Sequence, residues 1–578
     1  MGIQARTFSL CCDSKSARSR TTRGCETIRG MRASLLILVI ACVLPLRPAD
    51  GQSPEQAAMD QIRPEAIRAH MRFLADDLLE GRGTATRGQD LAAKYIAAEF
   101  EALGLEPAGA NHTYYQPVPL RRIEIQSAQT SMALIRKGSE EKLEFGKDYV
   151  TAGNPIYEDT TARAAAVFVG FGVSAPALGY DDYAGTDVRG KIVVTLYGAP
   201  PRFPSAERAH YSGIVKYEQA AARGAVGVIT LWVGDVAAHF AFQGIVDYLK
   251  APAYRWLDAQ GRPNDSFPEF RGGALLAGEC ARRLFERSPK TLDQAIADGN
   301  AGKVQTFALP LEVAIHTVTR HSAVSSPNVA ALLRGSDPNL REEYVVYTAH
   351  SDHMGIGPAV DGDAIYNGAV DNASGTAALI EVARAFTSLP RPPRRSILFV
   401  AVTGEEAGLI GSDYYAHNPT VQRQNLVANI NIDEIALFYD FSDIVALGEE
   451  HSSLGKKVRE AAARMDLEVS PDLMPEEVLF IRSDQYSFVR QGVPAIMAGG
   501  GFKARDPRID GKKVTLDWEA RLYHTPRDDM AQPLDFGAAV RFTRLQFLIG
   551  YLTAQAGERP AWNPGDFFGK IFGEKGAR

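Results

Sequence analysis

Cysteine is scarce and poorly placed for cross-linking. The 578 residues hold five, and four of them, Cys11, Cys12, Cys25 and Cys42, lie near the start. Cleavage of the chain between Ala49 and Gln52 would leave Cys280 as the only thiol, so no internal disulfide could form. An oxidising compartment is therefore compatible with the cysteine usage but not demanded by it. A basic excess is also lacking: the formal charge of -6 offers no cationic stripe for nucleic acid. Long apolar runs are lacking too. The run over residues 35–46 has the length of a signal-peptide core and is too short to span a bilayer comfortably.

That run follows Met31 and Arg32 and reads as an export signal, so the mature protein is expected to be secreted or periplasmic. The polar, arginine-containing residues before it are unusual for a signal, and a start at Met31 would remove them. Val39-Ile40-Ala41-Cys42 resembles a lipoprotein cleavage box. Membrane attachment is expected only if Cys42 is lipidated, and the continuation of the apolar run past the cysteine speaks against that. Nothing marks a dimerisation segment, so oligomeric state stays open.

What is present is an ordinary globular composition, 45% hydrophobic and 23% charged, in a chain long enough for more than one domain. Three apolar runs dominate it. Tyr344 to Ala349 is β-branched and aromatic and delivers His350, Ser351 and Asp352; Ser396 to Val402 delivers Gly404-Glu405-Glu406; Val427 to Ile432 delivers Asp433. Between the first two, a turn-rich loop from Gly368 to Gly375 carries Asp371 and feeds a helical pattern. Strand, helix and strand in alternation predict an α/β fold: a mainly parallel mixed sheet flanked by helices, with ligands gathered at the carboxyl ends of its strands.

Around this stretch, residues 64–105 show helical periodicity interrupted by Glu80-Gly81-Arg82-Gly83-Thr84, which reads as a flexible joint and not as a phosphate loop, because no strand precedes it. The expected division is 1–51 signal and upstream extension, 52–159 first part of the main domain, 160–311 an inserted small β-rich domain, 312–560 the rest of the main domain, and 561–578 a loose tail.

His350, Asp371, Glu406, Asp433 and His524 form a set of two imidazoles and three carboxylates, which suits zinc; calcium or magnesium would call for oxygen alone. If Asp371 bridges, the five can hold two ions, each with an open position. Glu405, beside a ligand but not needed as one, is the natural general base. Asp352, two residues after His350, would share its face in extended chain and accept its second N–H. His353 falls on the opposite face and reads as a structural or pocket-wall residue.

These pieces resemble the zinc-dependent exopeptidase family that includes secreted aminopeptidases, glutamate carboxypeptidase and the transferrin receptor. The matching stretches are Ala-His-Ser-Asp-His-Met-Gly from 349, Gly-Ala-Val-Asp-Asn-Ala-Ser-Gly from 368, Gly-Glu-Glu-Ala-Gly-Leu-Ile-Gly-Ser from 404, Asn-Ile-Asp from 431 and Tyr-His-Thr-Pro-Arg-Asp from 523. The insert resembles a protease-associated domain through Gly-Phe-Gly-Val-Ser-Ala-Pro from 170, Gly-Lys-Ile-Val-Val from 190 and Gly-Ala-Val-Gly-Val-Ile from 224. The resemblance implies that His350 and Asp433 serve one zinc, Glu406 and His524 the other, and Asp371 both, with Glu405 as base and Asp352 as the partner behind the His350 ring. It implies a metallopeptidase acting on peptides, with an aminopeptidase expected ahead of a carboxypeptidase for short acidic peptides or a non-catalytic binding protein. Two positions depart from the family: Glu434 where methionine is common, and Gln485 where histidine is frequent.

Overall fold

In the computed structural model, residues 52–234, 237 and 241–576 are described. The expected export signal and Cys42 lie outside them. Tyr344–His350 is the central strand, with Ser396–Val402 and Leu426–Asn431 parallel to it on either side. Every residue of Tyr344–His350 and of Ser396–Val402 is buried, as parallel strands covered on both faces must be. Ala495–Gly500 extends the sheet in parallel beyond Leu426–Asn431, and Asp443–Leu447 joins it antiparallel.

Alternation sorts the side chains. Val345, Tyr347 and Ala349 pack with Leu379, Phe386 and Phe547 on one face, whereas Tyr344 and Val346 pack with Tyr415, Phe488 and Phe568 on the other. The first face is covered by helices Pro64–Leu74, Arg87–Ala102, Gly375–Thr387 and Phe536–Gln555. Their starts are specified locally: Thr86 caps Arg87–Ala102 by accepting from the Gln89 N–H, and the Asp535 side chain caps Phe536–Gln555. Among the described residues, no helix is long and apolar enough to cross a membrane.

The insert has a parallel core of its own, Asp159–Val169, Ile192–Leu196, Gly227–Trp232 and Gly272–Ala277. One 28-residue strand, Thr306–Leu333, connects the two sheets. Its first half pairs with Asp159–Val169 and Ser131–Arg136, and its second half with Tyr115–Ile125 and Ser396–Val402. Met132, Leu134, Leu143 and Tyr149 are buried in the insert's apolar cluster. The packed unit thus begins ahead of residue 160, because those strands find their apolar partners there. The carboxyl-terminal residues also differ from the loose tail expected. Phe567–Gly576 is a helix whose Phe568 and Phe572 are 0% and 8% exposed, and burial of such aromatics outweighs the glycine and charge around them.

Candidate metal centre

All five ligand candidates converge. His350 closes its strand, Asp371 lies in the turn before Gly375–Thr387, Glu406 and Asp433 follow their strands, and His524 follows the helix Gly511–Arg521. Asp371 faces both imidazoles. Its Oδ1 lies 3.2 Å from His350 Nε2 and its Oδ2 3.1 Å from His524 Nε2. Asp433 Oδ1 stands 3.0 Å from His350 Nε2, and Glu406 Oε2 3.3 Å from His524 Nε2. Two groups of donors close enough to hold an ion result, His350 with Asp371 and Asp433, and His353 with Asp371 and Glu406.

His353 is the residue whose place the sequence reading missed. Its Nδ1 lies 2.6 Å from Glu406 Oε1. Strand geometry stops at His350, so the alternation that put His353 on the far face no longer applies; the repeated histidine in His-Ser-Asp-His was the available signal. The close contact between His353 and Glu406 lacks hydrogen-bond geometry, so neither ring nitrogen of His353 nor Glu406 Oε1 is hydrogen-bonded, although all three are buried. Buried donors without partners, in a nitrogen and oxygen set, are what a zinc ion would satisfy.

The surroundings are strongly anionic. Burial raises Glu405 well above the ordinary carboxyl range, with Asp433, Glu406 and Asp484 adding to it against the opposing effect of His350. Burial likewise raises Glu434, reinforced by Asp371 and Asp433. Asp371 is driven the other way. Burial works against it, yet His350, His353 and His524 hold it well below its usual range. Burial opposes protonation of His524, but Glu406 and Asp371 raise it to about 9. Carboxylates in excess of cations at one buried point call for added positive charge.

The supporting contacts differ in one respect from expectation. The Asp352 carboxylate accepts from Thr84 Oγ1 at 2.8 Å and from the Glu405 N–H at 3.2 Å. Its Oδ1 is 3.9 Å from His350 Nδ1, which is instead 3.2 Å from the Asp352 carbonyl. The turn after His350 swings the Asp352 side chain away from the ring, so Asp352 positions the backbone of Glu405. Asp528 accepts from the N–H groups of Val370 and Asp371. Asn372 is buried and donates to the Ile432 carbonyl. Gln485 accepts from Asn431, and Asn431 also donates to Ser483, whose hydroxyl donates to Asp433. From the insert, Tyr248 Oη donates to the Glu406 carbonyl at 3.0 Å.

Residues 328–549 match the profile of peptidase family M28. A probable zinc metalloprotease of Pyrenophora teres f. teres is 39% identical over 114 residues, 19% of this chain and 23% of that protein. Aminopeptidase Y of Saccharomyces cerevisiae is 27% identical over 225 residues, 38% of each chain. The chain thus spans well under half the length of these curated relatives. Among solved structures, an aminopeptidase from Aneurinibacillus sp. strain AM-1 aligns with a TM-score of 0.49 and 18% identity over 87% of this chain and 97% of that one. The stretch that matches this profile, residues 328–549, is the one that carries all five ligand candidates.

Proposed function

We propose that this protein is an exported dizinc aminopeptidase. The observation that carries the reading is Asp371, whose two oxygens face two different imidazoles, with Glu405 alongside. His350, Asp371 and Asp433 would hold one zinc; Asp371, Glu406 and His524 would hold the other, with His353 against Glu406. When bound, two zinc ions supply Lewis acidity that polarises a peptide carbonyl and acidifies a water.

The chain's own residues supply the rest. Glu405 takes the proton of the attacking water and passes it to the departing amine, and a carboxylate raised by burial is a better base for that transfer. Asp352 fixes the position of that base through its N–H. Glu434 stands beside Asp371 and Asp433 with its carboxyl raised; a bound α-ammonium would favour its ionised form and a carboxylate would not, which favours a free amino terminus over a free carboxylate. The names of the curated relatives, a zinc metalloprotease and an aminopeptidase, agree with this reading. The run over residues 35–46 supports export.

The test is hydrolysis of an aminoacyl-p-nitroanilide panel beside amino-terminally blocked dipeptides, with metal content measured on the same preparation. Cleavage of free-amine substrates by protein carrying two zincs is expected. Cleavage of blocked dipeptides alone would move the assignment to a carboxypeptidase.

A further inference from the structure

The segment read from sequence as a flexible joint is among the most tightly held in the molecule. Arg82 is 1% exposed. Its guanidinium donates to four main-chain carbonyls on three separate segments: Nε to Ser351 at 3.0 Å, Nη1 to Asn367 at 2.6 Å and to Leu74, and Nη2 to Gly368 at 3.0 Å. Ser351 stands between His350 and Asp352. Asn367 and Gly368 open the turn that carries Asp371. One planar cation therefore ties together the two loops that present the first imidazole and the bridging carboxylate.

Neighbouring residues of the same segment grip the same loop. Thr84 Oγ1 donates to the Asp352 carboxylate, Gln89 Nε2 donates to Ser351 Oγ at 2.8 Å, and the His353 N–H donates to the Arg82 carbonyl at 3.2 Å. The fit leaves no slack. A Cβ on Gly81, which has φ +67°, would lie 2.5 Å from the carbonyl oxygens of Gly355 and Tyr366. Burial lowers Arg82 to about 10, with the carboxylates of Asp352, Asp371, Asp528 and Glu406 working to keep it charged. It remains a cation at neutral pH, among those four carboxylates.

We propose that Arg82 is a positioning residue of the metal centre. Its forked donors set the separation of the His350 and Asp371 loops before metal arrives, and its charge offsets part of the repulsion among the carboxylates. Only a planar fork reaches carbonyls in several directions at once, so lysine replaces the charge but not the clasp. The inference rests on the metal-centre reading above.

The experiment titrates metal-free wild type, Arg82→Lys and Arg82→Met with zinc against a chromophoric chelator. It is accompanied by the visible spectrum of each cobalt-substituted protein and by the thermal unfolding of each metal-free form. Loss of a residue that orients ligands from behind costs roughly 10–100-fold in metal affinity. A loss in that range is expected for Arg82→Met and a smaller one for Arg82→Lys, with altered cobalt spectra in both. A merely structural role would lower the melting temperature and leave the zinc affinity and cobalt spectrum of the folded protein unchanged; that result overturns the proposal. If Arg82→Met does not fold, Arg82→Lys decides by the same two readouts. Wild-type protein that takes up no zinc removes the metal-centre reading and this proposal together, whereas wild-type uptake with unchanged variants overturns the role of Arg82 alone.

Discussion

Two parallel sheets are built into this chain, and their loops leave the strands in the same sense. After Tyr344–His350, Ser396–Val402 and Leu426–Asn431 come Asp352, Glu405, Glu406 and Asp433; after Ile192–Leu196, Gly227–Trp232 and Gly272–Ala277 come Tyr197, Val233 and Gly278. The insert does bury charge, but it answers that charge internally. Asp182 accepts from the N–H groups of Phe171 and Val173 and from Tyr180 Oη, and Lys216 Nζ donates to the carbonyls of Leu196 and Gly198 at 2.8 and 2.9 Å. At the other sheet, Glu406 Oε1 and both nitrogens of His353 are left without partners. Equivalent topology thus yields a self-contained support in one place and an acceptor for cations in the other. The difference between these two sets of groups lies in whether the chain itself satisfies them.

The comparison is broken most severely at Glu405. Glu405→Gln is expected to lower kcat on an aminoacyl-p-nitroanilide by ~10²–10⁴-fold while zinc content stays at the wild-type level. Near-normal turnover would remove Glu405 as the base.

A smaller effect sits where the two halves meet. His210, on the insert helix Ser205–Ser212, makes a 2.9 Å hydrogen bond to Tyr486 and packs against Phe567 and Phe572 of the carboxyl-terminal helix. Burial, with Arg490 nearby, lowers it to about 4. The folded protein keeps this ring neutral, so its contribution is complete above the unfolded value near 6.5 and is lost as pH falls through about 4. The loss approaches ~3 kcal/mol at the acid end of that window. Thermal unfolding at neutral pH and near pH 4 should show a flatter acid dependence in His210→Gln; an unchanged slope would exclude His210 as the acid-sensitive group.

The smallest effect sharpens the contrast. Lys216→Met removes the donor to one buried and one half-buried carbonyl and should cost ~1–3 kcal/mol in stability without altering zinc content, since these partners lie in the insert. A fall in zinc stoichiometry in folded Lys216→Met would show that the insert's internal contacts and the metal centre are coupled.

The ligand candidates were legible in the sequence because each stands next to an apolar run or a turn that betrays its position, and because two imidazoles with three carboxylates suit one chemistry. Other features were not. The segment holding Arg82 read as a flexible joint because the partners of Arg82 are main-chain carbonyls, which leave no trace in residue type, and Ser351 and Asn367 lie far along the chain from it. The helix Phe567–Gly576 looked like a tail because its three phenylalanines acquire a surface to bury against only when His210, Phe480 and Tyr486 are brought together.

The sequence by itself indicated the mainly parallel sheet and an additional β-rich region, and it singled out five candidate ligands and a candidate base that the fold brings together, since local periodicity and strand-end chemistry express these directly. The tertiary structure alone decided that the Asp371 oxygens divide between two imidazoles, that His353 faces Glu406, and that Asp352 supports Glu405 instead of His350. Those arrangements depend on the turns after His350 and Gly368, whose course is set by contacts between segments distant in the chain.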